Sequence, residues 1–241
     1  MSAPNLVAVA HGTRNPDGPA VIDALLAQVR RRLPDTAVHT SYVELNEPLF
    51  SDVMAAQDGP TVVVPLLLST GYHVNHDLPE QAAAAAGPVR IARPLGPHPL
   101  LAALMCQRLQ AAGARRGDAV VMVAAGSRDA DGIVDTLEMG RVLQAHWGAP
   151  VQVAHLSGHG LRVNEAVEQL WSRGHRRIAA VPYLLAPGFF ARKARAQASV
   201  AGCTAVATEL GAHRLVAELV VRRYLATASP SAAAGASTRV A

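Results

Sequence analysis

Aromatic residues make up only 4% of this 241-residue chain. Proteins that grip single-stranded nucleic acid stack bases on aromatic side chains set among basic ones, and no arginine run here is interleaved with aromatics. No run of about 18 apolar residues occurs, so no membrane-spanning helix is expected. The two cysteines, Cys106 and Cys203, lie far apart and make no metal-ligand pair. With no disulfide framework, and with residues 1–5 lacking the basic region and apolar core of a signal peptide, a reduced, cytoplasmic protein is expected. No G-x-S-x-G elbow precedes a helix and no Walker loop is present. His11-Gly12-Thr13-Arg14 lacks the glycine spacing of a dinucleotide fingerprint. Lysine is nearly absent too. Lys193 is the only one, and arginine carries the formal charge of +4. That excess fits either compositional bias or an anionic partner.

What is present is apolar and regular. Half of the chain is hydrophobic, enough for one large or two modest domains. Leu6 to Ala10 reads as a strand. Val21, Leu25, Val29 and Leu33 give Pro19 to Leu33 a helical spacing. A strand over Ala37 to Leu45, a helix over Pro48 to Gln57 and a strand over Thr61 to Leu68 follow. A helix over Leu78 to Ala86, a short strand over Val89 to Ala92 and a helix over Pro99 to Ala112 complete the series. Strands alternating with helices imply crossover connections and a parallel sheet.

The pattern then restarts. Val121 to Gly132, with Gly126-Ser127-Arg128, repeats Val7 to Gly18, with Gly12-Thr13-Arg14. Val181-Pro182-Tyr183-Leu184-Leu185 repeats Val64-Pro65-Leu66-Leu67-Leu68, and Leu210-Gly211-Ala212-His213 repeats Leu95-Gly96-Pro97-His98. Matches in one order at nearly constant offset divide the chain into copies 1–116 and 117–226. The segment 227–241 is rich in Ala and Ser and reads as a disordered tail.

Self-comparison separates fold from chemistry. His11 aligns with Ala125, His73 with Phe190, and Glu44 falls near Ser157. The shared residues are glycines, prolines and apolar strands; the unshared polar ones are candidates for chemistry. Taken singly, each is an ordinary strand-end or loop residue. Together, His11, Glu44 and His73 stand at the carboxyl ends of three strands of one sheet, where open α/β sheets bind ligands. Two imidazoles and a carboxylate suit a divalent first-row metal such as cobalt, iron, nickel or zinc, and three ligands leave open positions. His76 reads as a solvated loop residue. His155 and His159, placed just after a Val151–Ala154 strand, read as exposed loop histidines or as polar contacts to a ligand. Asp77 or Leu78 is expected near a helix cap, ahead of Pro79.

His11-Gly12-Thr13-Arg14, Glu44 and Gly71-Tyr72-His73-Val74 followed by Asp77-Leu78-Pro79 resemble the sirohydrochlorin chelatases, the class II tetrapyrrole chelatases of cobalamin and siroheme synthesis. The resemblance covers residues 5 to about 226 and is to the duplicated form, with the histidines in the first copy. It implies two flavodoxin-like α/β domains, each with a roughly four-stranded parallel sheet, facing each other across a cleft. It implies an enzyme that inserts cobalt(II) or iron(II) into sirohydrochlorin without ATP. His11, Glu44 and His73 would hold the metal, and one histidine would accept pyrrole protons. The metal, with nickel(II) as a further candidate, would be a substrate, and no organic cofactor is expected. Arg14, Arg128 and Arg192 would pair with the macrocycle's carboxylates, while Tyr72 and Phe190 would offer it faces. A duplicated chain is expected as a monomer, with a tetrapyrrole as partner and no nucleic acid or membrane. A metal-delivery protein using the same three residues, or a degenerate regulatory subunit, are the other readings.

Overall fold

The computed structural model describes residues 3–229. Strands β1 (Asn5–Ala10), β2 (Val38–Tyr42), β3 (Thr61–Pro65) and β4 (Val89–Ile91) form a parallel sheet in the order β2-β1-β3-β4. Strands β5 (Ala119–Ala124), β6 (Val151–His155), β7 (Ile178–Tyr183) and β8 (Ala205–Val206) form a second, in the order β6-β5-β7-β8. The central strands are continuous apolar runs buried on both faces, as parallel strands covered by helices must be. Register repeats between the sheets. Ala8 lies opposite Thr40 and Val64, and Met122 opposite Val153 and Val181.

Helices α1 (Asp17–Arg32), α2 (Phe50–Ala55), α3 (Leu78–Ala82) and α4 (Pro99–Ala111) belong to the first copy. Helices α5 (Ala130–Trp147), α6 (Val163–Ser172), α7 (Phe189–Val200) and α8 (Arg214–Ala228) belong to the second. Each amphipathic stripe finds a sheet. Phe50, Met54 and Leu78 close the outer face of the first sheet over Val7, Val9 and Val63. Val163, Val167, Leu170 and Ala194 close the outer face of the second over Val121 and Val123. The inner faces share one core. Leu25 and Val29 of α1, Met105 of α4, Leu143 of α5 and Leu219 of α8 lie in a single apolar cluster with Val64 and Val181.

Within that middle layer the last helix of each copy is exchanged. Helix α4 packs on β7, and α8 packs on β3 and β4. Arg108 of α4 donates to the Leu210 carbonyl (2.7 Å), and Arg223 of α8 donates to the Leu95 carbonyl (3.1 Å). The same two residue types make the same bond in both directions.

Element ends depart from the sequence reading in places. β2 stops at Tyr42, so Glu44 lies beyond the strand in a bend. β3 stops at Pro65, whose missing N–H cannot extend the ladder. The helix expected from Leu78 to Ala86 ends at Ala82 and is entered early, through a π-turn over His73–Asp77. Pro79 has no N–H for the Asn75 carbonyl and its ring crowds that group; a widened turn relieves the crowding. Helix α8 runs on to Ala228, and residues 230–241 of the expected tail lie outside the described residues. Among the described residues no helix is long and apolar enough to cross a membrane.

Candidate active site

The carboxyl ends of β1, β2 and β3 lie side by side, and each hands on one polar side chain. After β1, Gly12 takes φ +101°, and a Cβ there would run into the Glu44 carbonyl. Only glycine lets the two loops approach so closely. The Glu44 N–H donates to the His11 carbonyl (3.1 Å), and the Thr13 N–H to the Asn46 side chain (2.7 Å). These bonds bring His11 Nδ1 to 3.5 Å from Glu44 Oε1. Between Glu44 and Asn46, Leu45 takes φ +68°, the one positive φ at a non-glycine among the described residues, and it is 48% exposed. A leucine in that region is strained.

His73 opens the π-turn, and its Nδ1 lies 2.5 Å from Asp77 Oδ2. A carboxylate only accepts, so the bond places the proton on Nδ1 and leaves the lone pair of Nε2 free. The His11 and His73 rings meet edge to face with centroids 4.8 Å apart. Burial, with the neighbouring His73 next in effect, lowers the pKa of His11 below 6.5; Glu44 opposes the shift. His11 is therefore neutral at pH 7, with a lone pair for a metal or a proton. The three groups are near one another but not closed round a point. Among the described residues no set of three or more His, Cys, Asp or Glu is arranged to hold a metal as it stands.

The site opens into a cleft of about 940 Å³ between the carboxyl ends of the two sheets. His11, Glu44 and His73 line one side, and Ala125, Ser157 and Phe190 the other. Arg14, Arg128, Arg192 and Tyr72 line it too. Tyr72 is 63% exposed, with its ring 4.8 Å from that of His76. Phe190 meets Phe189 edge to face at 5.5 Å.

The structure decides three sequence expectations. His155 is the last residue of β6, is buried, and bonds Thr136 through Nε2 (3.2 Å); it is neither exposed nor at the cleft. His159 is exposed but does not line the cleft. Asp77 is the N-cap of α3, as expected, but its side chain makes no capping bond there and instead orients His73. The signal for Asp77 was its spacing, four residues after His73, which puts two side chains on one helical face. Thr70, Leu45, Asp135 and Tyr183 also bear on the site and drew no attention in the sequence. Thr70 and Leu45 line the cleft, and the Tyr183 hydroxyl and the Asp135 carboxylate reach the loop before His73. Nothing in one dimension places α5 or β7 beside that loop.

Comparison with known proteins agrees with this geometry. The sirohydrochlorin cobaltochelatase of Methanococcoides burtonii is 29% identical over 120 residues, 43% of this chain and 92% of that protein. The sirohydrochlorin ferrochelatase of Bacillus subtilis is 29% identical over 193 residues, 75% of this chain and 73% of that one. The fold matches that of SirB from Bacillus subtilis with Fe3+ at a TM-score of 0.81, with 23% identity over 95% of this chain and 97% of that one. The CbiX family model matches twice, over residues 5–112 and 119–227, and so nearly the whole chain belongs to the CbiX family.

Proposed function

We propose that this protein is a sirohydrochlorin chelatase, inserting cobalt(II) or iron(II) into the macrocycle in a step toward cobalamin or siroheme. The observation that supports it is the meeting of His11, Glu44 and His73 on one wall of a cleft of about 940 Å³, a volume suited to a large flat ligand. The metal is a substrate: a divalent ion enters, two pyrrole protons leave, and the charge of the ring core is unchanged. The imidazoles of His11 and His73 hold the ion loosely, and Glu44 completes the set. As the ion passes to the pyrrole nitrogens, the freed imidazole lone pairs accept the two protons and Glu44 relays them in turn toward solvent.

The first copy, residues 1–116, supplies this chemistry. The second, residues 117–226, supplies a wall: Phe190 and Phe189 give apolar area, and Arg128 and Arg192 face the peripheral carboxylates. Insertion then needs no nucleotide, and nickel(II) is a candidate because its ligand preferences overlap those of cobalt.

The test is optical. Sirohydrochlorin is mixed with cobalt(II), iron(II) or nickel(II), with and without protein, and the spectrum of the metallated ring is followed. Rates well above the protein-free rate for cobalt or iron are expected. Metal binding without acceleration would strike the enzyme reading and leave a delivery protein.

A further inference from the structure

The loop that carries His73 is held from the other copy. β3 ends at Pro65, and the chain crosses to the π-turn through Leu66–Tyr72. Two backbone groups on that crossing bond to the second copy. The buried Tyr183, at the end of β7, donates its hydroxyl to the Leu68 carbonyl (2.7 Å). Gly96 leaves the space the hydroxyl occupies: a Cβ there would meet both the Tyr183 hydroxyl and the Leu68 carbonyl. Asp135, on α5, accepts the Thr70 N–H (2.7 Å). Both bonds lie within five residues of His73.

The first copy gives the matching loop of the second no such hold. The matching loop leads through Leu185 and Pro187 to Phe190. Thr70 corresponds to Pro187, which has no N–H to donate. Asp135 corresponds to Val21 and Tyr183 to Leu66, neither of which offers a polar atom. The correspondence is geometric as well. A Cβ on Gly132 would strike the Thr70 carbonyl, and one on Gly18 would point at the Pro187 carbonyl. The Leu185 carbonyl is met by the Gly211 N–H of its own copy. The polar latch thus runs one way, toward the loop that ends in a histidine.

We infer that Asp135 and Tyr183 are positioning residues for metal capture. They fix the Leu68–Thr70 backbone, and so the approach of His73 to His11 and Glu44. The second copy then sets the geometry of the metal ligands besides walling the macrocycle. This inference rests on His73 being a metal ligand, as proposed above.

The experiment measures cobalt(II) affinity of the full chain by competition with a chromophoric chelator, alongside kcat, KM for sirohydrochlorin and the thermal midpoint. The variants are Asp135→Ala, Tyr183→Phe and Thr70→Pro, the last installing the residue found at the matching place in the second copy. A ligand displaced by a fraction of an ångström loses much of its effect, so cobalt affinity and kcat should fall on the order of tenfold with KM for sirohydrochlorin held. Asp135→Asn keeps an acceptor oxygen and should restore both. A purely structural bond would lower the midpoint and leave cobalt affinity alone. Wild-type cobalt affinity in the three variants, or no rescue by Asn, overturns the inference. Failure of the wild-type protein to metallate sirohydrochlorin would instead overturn the chelatase reading, and the cobalt titrations would still report on the latch.

Discussion

Gly12 and Gly126 take nearly the same φ, +101° and +97°, and a Cβ on either would strike the neighbouring loop, at Glu44 in one copy and Ser157 in the other. One residue earlier the copies part: His11 precedes Gly12, and Ala125 precedes Gly126. The same holds at the third loop. Gly71 leads to Tyr72-His73 and a π-turn, whereas Gly188 leads to Phe189-Phe190 and straight into α7. Four residues on, Asp77 orients His73, while Ala194 is packed into the outer core behind Phe190. Positions that steric fit controls are the same in both copies. Positions to which the proposed function assigns chemistry differ, as expected if one cleft needs one set of ligands and one opposing face.

The widest gap between the halves should appear at the ligands. His11→Ala or His73→Ala should slow metal insertion on the order of 100-fold at limiting cobalt(II), the size of effect general-base and ligand groups carry. Phe190→Ala, at the matching place, should act mainly on KM. A loss of kcat in Phe190→Ala equal to that in His73→Ala would erase the proposed division of labour.

Charge reversal comes next. Arg128→Glu or Arg192→Glu should raise KM for sirohydrochlorin roughly tenfold, the equivalent of about 1.4 kcal/mol for a lost charge-assisted pair, with cobalt(II) affinity unchanged. Arg176→Glu, exposed at the amino end of β7 and so away from the cleft, should change neither. Steady-state kinetics and a metal titration on each variant would show a reversed pattern if the walls were assigned the wrong way round.

A smaller effect should be shared by both halves. His98 caps α4 by accepting the Leu100 N–H (3.1 Å), and His213 caps α8 by accepting that of Leu215 (3.3 Å). Burial, then nearby arginines, lowers both pKa values below 6.5: Arg223 and Arg222 face His98, with Glu218 opposing, and Arg108 and Arg214 face His213. The folded state therefore binds fewer protons than the unfolded one. The caps contribute fully above pH 6.5, and the contribution is lost as pH falls through the lower folded values. His11 and His155, also lowered, add in the same direction. The double variant His98→Asn, His213→Asn, whose caps do not titrate and are each worth roughly 1 kcal/mol, should lose less stability than wild type between about pH 7 and pH 5. Thermal midpoints across that range would show it, and parallel curves would remove the caps as the cause.

The last comparison predicts no change. Ala125→His with Phe190→His restores two ligand types to the second half but supplies neither a π-turn nor a carboxylate at position 194. Metal stoichiometry by calorimetry should stay that of the wild type. A second bound ion would mean that the ligand geometry survives without those supports.

How much of this was legible beforehand follows from the range of each interaction. Apolar runs and the internal repeat revealed both sheets, since strand burial and helix stripes are written locally in the chain. That His11, Glu44 and His73 lie near one another was legible because the two copies could be read against each other. Asp77 was half legible, through its spacing from His73. Thr70, Asp135 and Tyr183 were not, because the bonds they make span 65 and 115 residues. His155 was misplaced because β6 runs one residue further than its apolar pattern, which draws the imidazole inside, where Thr136 meets it.

The exchange of α4 and α8 bears on how this chain can come apart. Each sheet is roofed on its inner side by a helix from the other copy, so neither copy encloses its own core. A cut near residue 116 would leave β3 and β4 without α8, and β7 without α4, exposing apolar faces that no neighbouring segment can cover. Melting should therefore be all-or-none, one calorimetric peak with matching van't Hoff enthalpy, and not two successive peaks. Swinging one sheet away from the other to widen the cleft would also pull a helix off the sheet it covers. A cleft whose width changes little is therefore expected.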